Sequence, residues 1–225
     1  MTESAEDDVV INIWAGGSTM TDGDWLDNFA ALARTQTPTA TPWEPVTDYS
    51  RAARDLVERP HAELIKVAFA PTRVLDVGCG PGHLIRCLSD IGVAVSGLDK
   101  TYRPEVPMLQ RDIAAPFFEG LPFWSDLVIC REVLEHLTIH QIAQAVRNLC
   151  RLTTRYVYVT TRFHPSPQHL LDVATSDDLD PTHITMLHQD LLRLLFVLEG
   201  FTRRADLEAQ LDWKHYGRVL VYERR

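Results

Sequence analysis

Apolar residues along the chain follow two rhythms. Short continuous runs, Val74–Val77, Val93–Val95 leading to Leu98, Leu127–Cys130 and Tyr156–Thr160, suit strands. Between them lie stretches with apolar positions three and four apart: Leu84, Ile85 and Leu88; then Ile142, Ala145, Val146 and Leu149; then Leu191 to Leu198. The middle stretch follows Thr138-Ile139-His140-Gln141, which fits a capping box. The last ends at Gly200, a residue suited to a helix C-terminus. A further helix is expected from near Asp48 through Ala52, Ala53, Leu56 and Val57 to a stop at Pro60, with a second amphipathic stretch over His61 to Phe69. Phe201–Arg204 and Arg218–Tyr222 are candidate strands near the end. This alternation predicts an α/β domain.

The first strand carries the most chemical information. Val74-Leu75-Asp76-Val77 runs directly into Gly78-Cys79-Gly80-Pro81-Gly82. Three glycines in five positions allow positive φ and remove the Cβ atoms that would hold a ligand off the main chain. The helical pattern from His83 then points its N-terminus at that loop. A dinucleotide fingerprint has the spacing GxGxxG, whereas here the third glycine arrives one place early.

Acids recur at the following strand ends. Asp99 closes Val93–Leu98 about 20 residues after the loop, the distance at which an acid accepts from ribose hydroxyls in Rossmann-like units. Asp112 closes a third short apolar run from Pro107, with Ile113 next to it. Local reasons, a solvated turn or a cap, also place acids at such ends.

With Asp76 included, the glycine loop resembles the first motif of the class I, Rossmann-like S-adenosylmethionine-dependent methyltransferases. The order of motifs covers about 130 residues, from the first strand through the end of the sheet. The resemblance implies a seven-stranded, mostly parallel sheet with helices on both faces, closed by an antiparallel pair, with an N-terminal helical or extended cap. It implies cofactor contacts at Asp76, Gly78, Cys79, Gly80, Asp99, Lys100, Asp112, Ile113 and the backbone of Arg131. In that reading Asp76 orders the loop, Asp112 receives the adenine amino group and Ile113 covers the ring.

Composition narrows the partners. A chain of 225 residues suits one domain of this type, residues 61–225, behind an arm and cap helices at 1–60. The arm holds a helical stretch around Asp24 to Arg34, a Thr/Pro-rich passage from Thr35 to Pro45, and Trp14, Trp25, Trp43 and Tyr49 as core anchors or acceptor-side walls. A net charge of −9 argues against a broad nucleic-acid face and makes a small molecule the expected acceptor. Four scattered cysteines without a CxxC pair suit a reducing compartment. With no secretory pattern and no long apolar run, a cytoplasmic location off the membrane is expected. Oligomeric state is left open.

Directly after the fourth strand, Glu132, Glu135 and His136 stand at i, i+3 and i+4, so one helical turn would align them on one face near the cofactor end of the sheet. Three roles compete. Glu132 and His136 could hold the loop by hydrogen bonds. His136, or His164, His169 or His183 in later loops, could serve as general base, with Glu132 and His183 beside it on the acceptor side. Alternatively, Glu132, Glu135, His136 and His183 could bind a divalent metal, an arrangement similar to that of small-RNA 3′-terminal 2′-O-methyltransferases; two carboxylates and two imidazoles suit Mn, Fe, Co or Zn better than Mg. Arg162 could select an anionic acceptor. The expected function is transfer of the S-adenosylmethionine methyl group to an oxygen or nitrogen of a small molecule, releasing S-adenosylhomocysteine. The alternatives are the metal-assisted RNA or catechol-like O-methyltransferase and a non-catalytic cofactor-binding partner subunit. A nicotinamide oxidoreductase is disfavoured by the glycine spacing and by the lack of a Tyr-x-x-x-Lys motif.

Overall fold

The computed structural model describes residues 51–116, 125–163, 171–172, 182–213, 215 and 217–225. The expectations for the arm up to Tyr49 and for His164 and His169 lie outside these residues. Helix α1 (Arg51–Phe69) leads into β1 (Arg73–Val77), α2 (His83–Asp90), β2 (Ala94–Asp99) and β3 (Met108–Gln110). The next elements are β4 (Ser125–Arg131), α3 (Ile139–Leu152) and β5 (Thr153–Thr160). They are followed by the short strands β6 (Leu171–Asp172) and β7 (Met186–Leu187), α4 (Gln189–Leu198), β8 (Phe201–Arg203), α5 (Ala205–Leu211) and β9 (Val219–Arg224).

Seven strands form one sheet in the order β3-β2-β1-β4-β5-β9-β8. Strands β3, β2, β1, β4 and β5 are parallel, and β9 is antiparallel to both neighbours. This is the expected seven-stranded, mostly parallel α/β architecture. The order reverses between β1 and β4, which opens a crevice at their carboxyl ends, the place where ligands bind in open sheets of this kind.

Period-two alternation divides the core between the two faces. Leu75, Val77, Val128, Cys130, Val157, Val159, Leu220 and Tyr222 point one way, into a cluster with α3 and α4. Val74, Leu127, Ile129, Tyr156, Tyr158, Val219 and Val221 point the other way, against α1, α2 and α5. The uninterrupted apolar strand runs are therefore the mark of a sheet covered on both sides.

The sequence pattern misplaces one helix boundary. Pro60 does not stop a helix but lies inside α1, so the boundary drawn at residue 60 falls within one element. A proline inside a helix removes one hydrogen bond and costs about 3 kcal/mol or more. The helix continues because Glu58, His61, Ala62, Ile65 and Phe69 form one buried stripe along it. His61 secures that stripe: Trp213 Nε1 donates to its Nδ1 at 3.2 Å, and its Nε2 meets the Tyr158 hydroxyl at 3.0 Å. The β6–β7 ribbon was not legible in the sequence pattern, because two-residue strands carry no periodicity.

Thr138 and Gln141 close the expected capping box at the start of α3, with Gln141 Oε1 accepting from the Thr138 amide at 2.9 Å. Gly200, with φ 84°, follows α4 as anticipated.

Candidate active site

The loop after β1 has the backbone its glycines suggested. Gly78, Gly80 and Gly82 have φ values of 71°, 48° and 72°. The first is also a steric requirement, because a Cβ there would overlap Cγ2 of Val133, the residue that crosses behind the loop from the end of β4. Gly78 donates its amide to the Leu98 carbonyl at 2.7 Å, which holds the loop against the end of β2.

Asp99 sits beside this loop. One carboxylate oxygen accepts from the Gly80 amide at 3.0 Å and the other from the Thr101 amide at 2.8 Å. Lys100 is exposed, and its carbonyl accepts from Gln110 Nε2 at 3.1 Å. Cys79 is buried with Ile85 and Val106, and burial pushes its thiol pKa upward, so it serves packing. Asp112 opens a turn and accepts from the Ala114 amide through Oδ1 at 2.8 Å. Ile113 is buried in the main core, so it forms part of the floor beneath that turn.

Asp76 is buried under the loop. Desolvation raises its pKa from 3.8 to about 7, with Arg131 pulling it down and Glu58 and Asp99 adding to the rise. The Arg131 guanidinium turns away from the crevice, toward α1, and meets Glu58 Oε2 at 2.9 Å. Burial works against its charge, but Glu58, with Tyr158 and Asp76, outweighs it and holds the guanidinium charged.

The five residues that follow β4 do not form the expected single helical turn. Glu132 takes a left-handed φ of 53°, Val133 has φ −127°, and a 3-10 turn covers only Leu134–His136. The break turns the Glu132 carboxylate to Arg218 and leaves it out of the Glu135, His136 and His183 group, although it stays beside the Glu135 carboxyl. Arg218 Nη1 clasps the Glu132 carboxylate at 2.9 and 2.7 Å, and Arg162 Nε stands 3.9 Å off. Burial alone would raise the Glu132 pKa, yet Arg218 outweighs it and keeps this carboxyl below its usual range.

Glu135 and His136 stay together, joined by His183. One ligand-capable atom from each of Glu135, His136 and His183 lies within 4.8 Å of the other two. The two imidazole rings meet edge to face with centroids 4.8 Å apart. The segment carrying His183 is stitched to the 3-10 turn, since the Ile184 and Thr185 amides donate to the Glu135 carbonyl at 2.9 and 3.2 Å. His136 Nδ1 lies 3.2 Å from the Thr182 carbonyl and 2.9 Å from its hydroxyl. A proton on Nδ1 suits the carbonyl and leaves the lone pair on Nε2. Glu135 is fully buried and accepts from Thr161 Oγ1 at 2.7 Å. Burial, reinforced by the Glu132 charge, raises its pKa well above the ordinary range, which favours the neutral carboxyl.

This donor set fits a divalent metal poorly. Glu132 is committed to Arg218, which reduces the four-residue set to two imidazoles and the Glu135 carboxyl, and that carboxyl already accepts from Thr161. The hydrogen bonds instead describe a polar clasp that fixes the end of β4 against the segment before β7.

Sequence reasoning missed three members of the site. Glu58, Arg218 and Thr161 meet their partners across 73, 86 and 26 positions. Only the first carried a signal, as an acid on the apolar stripe of α1.

Comparison with known proteins agrees with this geometry. Residues 48–205 match the family model described as a methyltransferase domain. The chain belongs to this methyltransferase family. A ubiquinone biosynthesis O-methyltransferase of Xanthomonas campestris pv. campestris is 32% identical over 126 residues, which cover 50% of this chain and 49% of that protein. The chain thus aligns with about half the length of the curated relatives it matches. Two solved structures share the methyltransferase fold. A SAM-dependent methyltransferase from Archaeoglobus fulgidus superposes with TM-score 0.58 at 17% identity, over 76% of this chain and 94% of that one. The 1,6-didemethyltoxoflavin-N1-methyltransferase of Burkholderia thailandensis, bound to its substrate and S-adenosylhomocysteine, gives 0.54 at 15% identity, over 84% and 94%. No helix among the described residues is long and apolar enough to cross a membrane.

Proposed function

We propose that this methyltransferase moves the methyl group of S-adenosylmethionine to an oxygen or nitrogen of a small-molecule acceptor and releases S-adenosylhomocysteine. The observation that carries the reading is the Asp76–Gly82 loop at the point where the strand order reverses. Three positive-φ glycines leave its backbone open, and the Asp99 carboxylate stands against it.

The sulfonium is already an activated donor, so transfer is an in-line displacement that depends on alignment and exclusion of water. Gly78 and Gly80 give the methionyl part of the cofactor access to main chain. Asp99 exchanges its loop amides for ribose hydroxyls, and Asp112 takes the adenine amino group. Glu132 and Arg218 lie toward the acceptor, with the Glu135, His136 and His183 clasp beside them. For a hydroxyl acceptor, His136 Nε2 receives the proton.

The name of the Xanthomonas relative and the bound substrate of the Burkholderia enzyme both support a small-molecule acceptor. Residues 61–225 would carry the cofactor. Glu132 pairs with Arg218 and does not join the histidines, so proton transfer to His136 needs no metal.

Calorimetric titration with S-adenosylhomocysteine, with NAD as comparison ligand and Asp99→Ala as the site control, tests the proposal. Micromolar binding that the variant loses supports it, and a folded protein that binds neither ligand, or only NAD, overturns it.

A further inference from the structure

Asn148 is a fully buried polar side chain on α3, a helix whose neighbouring positions Ala145, Val146, Leu149 and Cys150 belong to the apolar core. Its Nδ2 donates to two main-chain carbonyls, Ile113 at 2.7 Å and Ala115 at 2.9 Å. Its Oδ1 accepts from Gln144 Nε2 at 3.0 Å, one turn earlier on the same helix. Both partners of Nδ2 are acceptors, so the orientation of the amide follows from its surroundings. All of its hydrogen-bonding groups on that side go to one target, the turn that follows β3.

The turn has its own internal bonds. Asp112 closes it through its side chain to the Ala114 amide at 2.8 Å and through its carbonyl to the Ala115 amide at 3.0 Å. Those contacts fix the shape of residues 112–115 but not where the turn sits, since β3 is only three residues long and ends at Gln110. Its anchorage to the rest of the molecule comes through the Arg111 amide, which donates to the Asp99 carbonyl at 2.9 Å, through the Ile113 side chain, which is packed in the core, and through Asn148. An apolar side chain of the same size would fill the space without anchoring carbonyls, so the amide has a purpose beyond filling the core.

We infer that Asn148 is a positioning residue for cofactor recognition: by holding the Ile113 and Ala115 carbonyls, it places the Asp112 carboxylate where it reads the exocyclic amino group of adenine. The inference rests on the S-adenosylmethionine reading above. Asn148 touches no ligand itself. It acts through the turn, while Gln144 orients its amide.

The test compares S-adenosylhomocysteine with S-inosylhomocysteine, which carries a carbonyl oxygen in place of the amino group, by calorimetric titration of the full chain. The wild type is expected to prefer the adenosyl ligand by about tenfold or more, the scale of one hydrogen bond to a charged group. Asp112→Ala, as control, loses that preference. Asn148→Leu is expected to bring the two affinities to within about twofold, chiefly by weakening the adenosyl ligand, and Gln144→Leu to give an intermediate preference. A merely structural role for Asn148 would weaken both ligands alike and leave their ratio unchanged. A wild-type ratio retained in folded Asn148→Leu overturns the inference and leaves the cofactor reading standing. Should that variant fail to fold, an unchanged ratio in Gln144→Leu overturns it equally. Failure of the wild type to bind either ligand removes the cofactor reading and this inference together.

Discussion

Arg131 and Glu58 face each other at 2.9 Å between the end of β4 and the middle of α1, and both side chains are shielded from solvent. The pair ties the helix that covers one face of the sheet to the strand end beside the glycine loop. Asp76 lies within reach of both charges, and each moves its pKa. Packing of α1 and the charge state beneath the glycine loop are therefore one system.

Removing one member leaves the other charged and buried. Glu58→Ala is expected to destabilise the fold by about 3 kcal/mol, the scale for breaking a shielded pair. The double variant Glu58→Leu/Arg131→Met should recover most of that loss, since an apolar pair of similar volume needs no desolvated charge. Urea unfolding checks both, and equal losses in the single and double variants would contradict the argument.

Gly78 is constrained twice, by a φ of 71° and by Val133 behind it. Gly78→Ala is expected to cost about 1–3 kcal/mol from the left-handed backbone alone, with the overlap added. Adding Val133→Ala should relieve the overlap and leave the backbone strain. Thermal unfolding of the single and double variants separates the two contributions.

Asp76 makes stability depend on pH in a defined direction. Its pKa is raised on folding from 3.8 to about 7, so the folded protein retains a proton that the unfolded chain has released. Its contribution to stability is full below 3.8, declines across the window up to about 7 and is gone above it. Asp76→Asn should flatten this part of the pH profile, with the gain over wild type greatest above pH 7. Glu135, also raised, adds a decline of the same sign starting from 4.5, which remains in the variant. Urea midpoints across the window measure the difference, and an identical slope in wild type and Asp76→Asn would refute the shift.

Metal removal is expected to leave the protein unchanged. The Glu135, His136 and His183 clasp is held by Thr161, by Thr182 and by two amide donors to the Glu135 carbonyl. Exhaustive dialysis against a chelator should leave the melting temperature and S-adenosylhomocysteine affinity as they were. A fall in either that Zn or Mn restores would assign those three residues to a metal after all.

How far the sequence led depends on whether contacts are local. The glycine loop, the Thr138 capping box and the Gly200 terminus were legible because their hydrogen bonds close within a few residues. The strand runs were legible because burial on both faces leaves uninterrupted apolar stretches. Pro60 misled because local propensity was outweighed by the buried stripe of α1. The expected helical turn from Glu132 to His136 failed because one left-handed residue breaks helical spacing, and no glycine marks the place. Glu58, Arg218 and Asn148 work across 33 to 86 positions and leave no local trace.

The two candidate roles of His136 separate by substitution. Its Nδ1 meets Thr182, and a proton there, which the Thr182 carbonyl suits, would leave on Nε2 the lone pair a general base needs. Asn in its place presents an amide donor near the Nδ1 position but no base, so His136→Asn should keep the melting temperature and S-adenosylhomocysteine affinity of the wild type. If Nε2 takes the acceptor proton, kcat for a hydroxyl acceptor should fall by about 10²- to 10⁴-fold in that variant. The loss should shrink as pH rises toward the acceptor's own pKa, because a deprotonated acceptor needs no base. Activity retained in His136→Asn but lost in His136→Ala would make the histidine a fastener of the segment before β7.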